Sequence, residues 1–308
     1  MNISAAILLY NTHLFGDTLP IMSEKHTHED KFRAFAIADA VEATDADVVL
    51  LTEVWDKNLA KIILAQTADH YPNSYLPEQR NIFGFGSGLL ILSKFAIIDP
   101  STTKYSWLIG SDIFSQKGFI VANLDLPGGP LGLFLTHVQS HNGLLEYVQA
   151  RASNLKQLAE AVAAYKQVHP ARPVLVAGDL NVVAEEPGQP TKEYKAMTEL
   201  FGGRKLIDLA RQFYPNSQAW PGFTYDSLHN TLIPQFNPEI AEDHGQERID
   251  YFFGTPDIKP IAITTDPANN QSVFKSDYRY NSGTDNLSDH FPLLLEVIVK
   301  PEASPAGR

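Results

Sequence analysis

Short apolar runs recur along the chain, several alternating with longer stretches whose apolar residues return every three or four positions. Residues 3–10, 47–51, 88–92, 118–124, 131–136, 173–177, 249–253 and 293–299 are short and mostly β-branched or aliphatic, which predicts strands. Helical spacing predicts helices over 29–43, 57–68, 144–167 and 191–201. In the longest, Leu144, Tyr147, Val148, Ala152, Leu155, Leu158 and Val162 share one face. Many strands and fewer helices argue for an α/β fold in which two packed β-sheets are flanked by helices. Residues 15–28 and 213–245 are long and rich in turn formers, the character of functional loops.

At 308 residues and 44% hydrophobic content, the chain can bury a full core. No repeat, low-complexity block or Ser/Gly-rich linker divides it, so a single domain over 1–299 is expected. Residues 300–308, with Pro301, Pro305 and Gly307, are expected to form a disordered tail. Lys and Arg total 24 against 36 Asp and Glu, a formal net charge of −12. Such a surface discourages sequence-blind attraction to nucleic acid, although a bound metal can supply a nuclease with local positive charge. The chain has no cysteine, which excludes disulfides, thiolate metal sites and a Cys nucleophile. No apolar run approaches the ~18 residues of a membrane span. No basic segment followed by an apolar one opens the chain. A secreted or cell-surface protein with its leader removed is the expectation, and a cytoplasmic one the alternative.

Polar residues suited to metal or proton chemistry stand where the predicted strands end. Asn11 follows the first, Glu53 the second and His137 the run 133–136; Asp179 and Asn181 follow 174–178. Asp250 opens an apolar run, and Asp289 and His290 precede the last strand. Each has a local alternative: a turn for Asn11, a structural hydrogen bond for His137, a cap on the following helix for Glu53. Independent structural reasons for all of them are harder to sustain than one shared site. Glu53, Asn11, Asp179, Asn181 and Asp289 supply the oxygen atoms that a hard cation such as Mg2+ takes. There is no HExxH, GxxxxGK[ST] or GxSxG, so zincin, nucleotide-loop and serine-hydrolase chemistries are set aside.

Gly178-Asp179-Leu180-Asn181, Ser288-Asp289-His290, Arg248-Ile249-Asp250-Tyr251, and Glu53 and Asn11 after their strands, in this order from Ile3 to Val299, resemble the endonuclease/exonuclease/phosphatase (DNase I-like) superfamily. Within it, the chain is most similar to the neutral sphingomyelinases. That likeness is carried by Leu51-Thr52-Glu53-Val54-Trp55, Gly86-Ser87-Gly88-Leu89 with Ser93-Lys94, Thr136-His137 with Ala150-Arg151, the segment from Asp112 to Gly118, and Thr224-Tyr225-Asp226 with Asn230. The resemblance implies a four-layered α/β sandwich of two mixed sheets, with the site at one end of the paired sheets.

It further implies a Mg2+-dependent phosphodiesterase acting on a phospholipid headgroup ester, with Mn2+ or another divalent cation as substitute. The ion would sit on Glu53 with Asn11 close by, and a second metal near Asp179 or Asp289. His290 would take a proton from water, with Asp250 holding its tautomer. Asp179 and Asn181 would orient water and phosphate, and His137 would donate to a phosphate oxygen. Lys117, held or released by Asp112, is the candidate cation over the substrate; a solvated loop pair is the alternative. Asn230 is a further substrate-binding candidate, although with Asp226 it also suits shaping its own turn. Surface histidine is the default for His13, His26, His28, His141, His229 and His244, with a metal site at His26–His28 as an alternative. Trp107-Leu108-Ile109 and Phe83-Gly84-Phe85 are candidates for peripheral membrane contact, against buried packing. No obligate protein partner is inferred. The rivals are a nuclease or small-molecule phosphatase on the same scaffold and, from another class, a binding or toxin subunit that has lost catalysis.

Overall fold

A computed structural model describes residues 3–16, 29–78, 86–141, 143–186, 189–236, 245–265, 274–275 and 285–300. The apolar runs assemble into two six-stranded sheets. The first runs in the order β15 (Ile258–Thr265), β16 (Leu293–Val299), β1 (Ile3–Leu14), β2 (Val48–Val54), β4 (Leu90–Ser93), β3 (Asn73–Tyr75). The second runs β11 (Ile207–Asp208), β14 (Asp250–Gly254), β8 (Val174–Asp179), β7 (Gly129–His137), β6 (Gly118–Leu126), β5 (Ile97–Lys104). Two short ribbons pair β9 (Glu185–Glu186) with β10 (Gln189–Pro190) and β12 (Tyr225–Asp226) with β13 (Gln246–Glu247).

Residue alternation along each strand builds the layers. In β1, Ala5, Ile7 and Leu9 enter the core between the sheets, while Leu8 and Tyr10 face outward to helices α1 (Asp30–Ala43) and α2 (Lys57–Gln66). In β7 and β8, Leu131, Leu133, Leu135, Leu175 and Ala177 face inward. Phe134, Val174 and Val176 meet α3 (Leu145–Val168) and α4 (Lys192–Gly202) on the other side. The result is the expected helix–sheet–sheet–helix sandwich. Two shorter α-helices, α5 (Leu209–Phe213) and α6 (Ile233–Phe236), and a 3-10 helix at Gly110–Phe114 complete the described elements. Among the described residues, no helix is long and apolar enough to cross a membrane.

Each sheet holds one parallel pair at its centre, β1 with β2 and β7 with β8, and antiparallel neighbours elsewhere. This arrangement decides where chemistry can gather. The C-terminal ends of β1, β2, β7 and β8 and the N-terminal end of β14 lie along one edge of the sandwich. Their side chains meet there across the interlayer.

The strands run further than the apolar runs. β2 continues to Val54, so Glu53 lies inside it, and the cap of α2 is Asp56, whose carboxylate accepts from the amides of Asn58 and Leu59. β1 continues to Leu14, which carries His13 into the sheet. The edge strands β5 and β15 fall outside the predicted set. β5 is largely exposed and polar and contains Pro100, so it lacks the buried apolar face that marks a strand in sequence. Phe83–Phe85, His26, His28, His244 and the segment 301–308 lie outside the described residues.

Candidate active site

The inward rows end in polar residues. Asn11 continues the parity of Ile7 and Leu9, His137 that of Leu133 and Leu135, Asp179 that of Leu175 and Ala177, and Asp250 that of Phe252. All four therefore project into the same end of the interlayer. Register aligns His137 opposite Asp179, and Asp179 opposite Asp250, so three of them form one row across neighbouring strands. Asn11 reaches over from the other sheet, its Nδ2 donating to Asp179 Oδ2 at 3.0 Å. The close approach of β7 and β8 requires Gly178, because a Cβ there would sit 1.9 Å from the Thr136 carbonyl oxygen.

Glu53 breaks the alternation. By parity it belongs with Val49 and Leu51, facing the helices, but its φ of 58° turns the side chain to the cleft. His13 and Asn181 also have positive φ, each 49°. Non-glycine residues adopt this region uncommonly, and such strain concentrates at functional sites. Glu53 Oε1 lies 3.8 Å from His137 Nε2, which is also 3.4 Å from Asp179 Oδ2. Ligand atoms of Glu53, His137 and Asp179 all fall within 4.8 Å of one another, as do those of Asp179, Asp250 and His290.

His290 stands just before β16, its Nδ1 2.8 Å from Asp250 Oδ2 and its Nε2 4.0 Å from Asp179 Oδ2. Asp179 and Asn181 are tied together, the Asn181 amide donating to Asp179 Oδ1 at 2.9 Å; Asn181 Oδ1 in turn accepts from the His141 amide at 3.0 Å. Asp112 and Lys117 form a buried ion pair at 3.0 Å, with the Ser140 amide on the same carboxylate oxygen at 2.7 Å. A solvated loop pair is not what this chain has. Asn230 is buried beneath the Ser288–His290 segment: its Nδ2 donates to the Ser288 carbonyl and its Oδ1 accepts from Leu232. Asp226 shapes its own turn, accepting from the Leu228 amide.

Electrostatics follow from so many carboxylates in one buried place. Burial, and then the neighbouring Asp250 charge, push the Asp179 carboxyl up to about 7. Burial opposes a charged Glu53, but the hydrogen bond from His13 and the cationic His13 and Lys117 prevail and hold it well below the usual range. Burial and then Lys117 keep His137 well below its ordinary value, hence neutral. For His290, burial is outweighed by Asp250, Asp289 and Asp179, which hold the imidazole well above its ordinary value.

These residues fit a divalent cation. Among the described residues, Asp250 Oδ1 and His137 Nδ1 are buried without a hydrogen-bond partner, and Glu53 Oε2 lies 3.5 Å from His13 Nδ1, in a site crowded with negative charge. Paired or metal-bound is the normal state of such groups. Glu53, Asp179, His137 and the adjacent Asn11 amide are the donors that would hold the ion.

Three residues are additions to the sequence-derived set. His13 is no surface histidine: its Nδ1 lies 3.5 Å from Glu53 Oε2 and 3.2 Å from Asp289 Oδ2, because β1 outlasts its apolar run. Its signal was its position two residues after Asn11. Arg33, one turn before Ile37 on the apolar face of α1, donates to the carbonyls of Thr12, His13 and Leu287 and to Asp30. It thereby fastens the end of β1 to the segment carrying Asp289 and His290. Tyr225 packs edge-on against His290, ring centroids 5.6 Å apart.

The family model described as Endonuclease/Exonuclease/phosphatase family matches residues 9–290. Sphingomyelinase C of Listeria ivanovii is 24% identical over 94% of this chain and 84% of that protein. Sphingomyelinase C of Leptospira interrogans is also 24% identical over 95% of this chain, which spans about half (51%) of that longer protein. Among solved structures, beta toxin from Staphylococcus aureus superposes with a TM-score of 0.72 at 19% identity, covering 94% of this chain and 99% of the toxin. A double mutant of that beta toxin with bound magnesium ions gives 0.70 at 19% identity, covering 97% of this chain and 100% of that one. With the strand-end cluster, the family match identifies the chain: it belongs to the Endonuclease/Exonuclease/phosphatase family and is a hydrolase of phosphodiesters.

Proposed function

We propose that this chain is a Mg2+-dependent phosphodiesterase that cleaves the headgroup ester of a phospholipid, in the manner of a sphingomyelinase or phospholipase C. One observation carries the reading: the Asp179–Asp250–His290 group and the Glu53–His137–Asp179 group share Asp179. A divalent ion held there supplies charge neutralisation at the phosphate and its leaving oxygen. The chain's own groups do the rest. Asp250 fixes the His290 tautomer so that Nε2 faces the cleft and accepts a proton from water. Asp179 and Asn181 orient that water and the phosphate. His137, neutral, presents a ring hydrogen rather than a second charge, and Lys117 contributes its cation from behind the Asp112 pair.

The lipid reading is supported by the names of the curated relatives and by an apolar apron beside the cleft. Trp107, Ile113, Phe114, Leu144 and Leu145 are all exposed large hydrophobics. Their segments adjoin the site, since Ser140 binds Asp112 and Gln139 binds Ile109. Against a nuclease stand the net charge of −12 and the scarcity of basic residues in 201–245, where Arg204, Lys205 and Arg211 are the Lys and Arg present. Arg211 is taken up internally by Glu185.

The test is a substrate panel with Mg2+: sphingomyelin, phosphatidylcholine, lysolipids, DNA and inositol phosphates. Preferential turnover of a choline phospholipid is expected. Preference for DNA overturns the substrate assignment. Liposome flotation of Trp107→Ala checks the apron, and unchanged partitioning removes Trp107 from it.

A further inference from the structure

His13 meets the candidate cation site at three points. Its backbone amide donates to Asn11 Oδ1 at 3.1 Å. Its ring Nδ1 lies 3.5 Å from Glu53 Oε2 and 3.2 Å from Asp289 Oδ2. Ionised carboxylates only accept hydrogen bonds, so the ring hydrogen that serves both oxygens sits on Nδ1. The ring is held in that pose. Phe15 packs edge-on against it, centroids 4.8 Å apart, and Arg33 donates to the His13 carbonyl.

The two oxygens of Glu53 consequently have different surroundings. Oε1 faces the donor cluster, 3.8 Å from His137 Nε2, while Oε2 is turned to the His13 ring. That division bears on which ion fits. Ca2+ takes roughly six to eight oxygen ligands and readily captures both oxygens of one carboxylate. Mg2+ demands near-octahedral geometry, keeps several waters and uses few carboxylate oxygens. A carboxylate with one oxygen tied to an imidazole suits the smaller ion.

We infer that His13 sets the cation selectivity of this site: by engaging Glu53 Oε2 it leaves the ion one oxygen of Glu53, and so discriminates against Ca2+. This rests on the reading of the cluster as a divalent-cation site, and it makes His13 a positioning residue that acts through Glu53.

The experiment is calorimetric titration with Mg2+ and, separately, Ca2+, in the absence of substrate. Wild type should bind Mg2+ more tightly than Ca2+. His13→Leu should shift the ratio of the two dissociation constants towards Ca2+ by about tenfold or more, the scale on which residues that orient metal ligands act. His13→Gly, in which the φ of 49° carries no steric penalty, should shift it in the same direction. His13→Asn places an amide nitrogen where Nδ1 stood and should keep the wild-type ratio. Ca2+ binding as tight as Mg2+ in wild type, a ratio unchanged in His13→Leu and His13→Gly, or a full shift in His13→Asn overturns the inference and leaves the cation site standing. Binding of neither ion by wild type overturns the cation site itself, and the inference with it.

Discussion

His290 Nδ1 lies 2.8 Å from Asp250 Oδ2 in a buried pair. An ionised carboxylate only accepts hydrogen bonds, so a hydrogen sits on Nδ1, and Nε2 offers the cleft a lone pair once the imidazolium has released its second proton. His290→Ala should lower kcat at least ~10²-fold, the lower scale for removing an acid–base group. Asp250→Asn should cost a similar factor while the fold is preserved, because the amide can stabilise the wrong tautomer. Steady-state rates with circular dichroism on both variants check this.

The metal-free protein should lose stability as pH rises above about 6.5, the ordinary histidine value. Asp179 is raised to about 7, and His290 and His13 are raised above the ordinary histidine value. Groups with raised folded-state pKa values stabilise below their unfolded values, and that contribution is lost as pH climbs through the folded ones. Glu53 is depressed, so its contribution disappears only in acid, outside this window, and His137, also depressed, opposes the trend only below its unfolded value. Urea unfolding should show this as a lower free energy of unfolding at the higher pH. Asp179→Asn should flatten the slope and abolish turnover.

Gly178→Ala should be severely destabilising, by about 3 kcal/mol, since the new methyl meets backbone rather than a movable side chain. Turnover should fall as well, because the displaced segment carries Asp179. Thermal melts of the variant against wild type provide the measure.

Much of this architecture was legible in sequence because burial and alternation speak together. Every long central strand and all four main helices follow from apolar spacing, and the strand-end polar residues do converge. His13 and Glu53 mark where reading by run length stops. Both lie in strands that continue past their apolar stretch with positive φ, a conformation that no periodicity announces. Arg33 reads as one more charged helix residue until the carbonyls that consume it are seen. Tyr225 is brought to the base by a two-residue strand too short to leave a pattern.

Divalent-metal titration of wild type and Glu53→Gln, followed by calorimetry alongside hydrolysis of bis-p-nitrophenyl phosphate, probes the shared site most directly. Wild type should bind Mg2+ or Mn2+, gain about 2.7 kcal/mol of stability at 100 times the dissociation constant, and lose all turnover with chelator. Glu53→Gln should lose both binding and turnover. Undiminished metal binding and hydrolysis in Glu53→Gln, or full wild-type turnover in excess chelator, would contradict a catalytic cation seated among these strand ends.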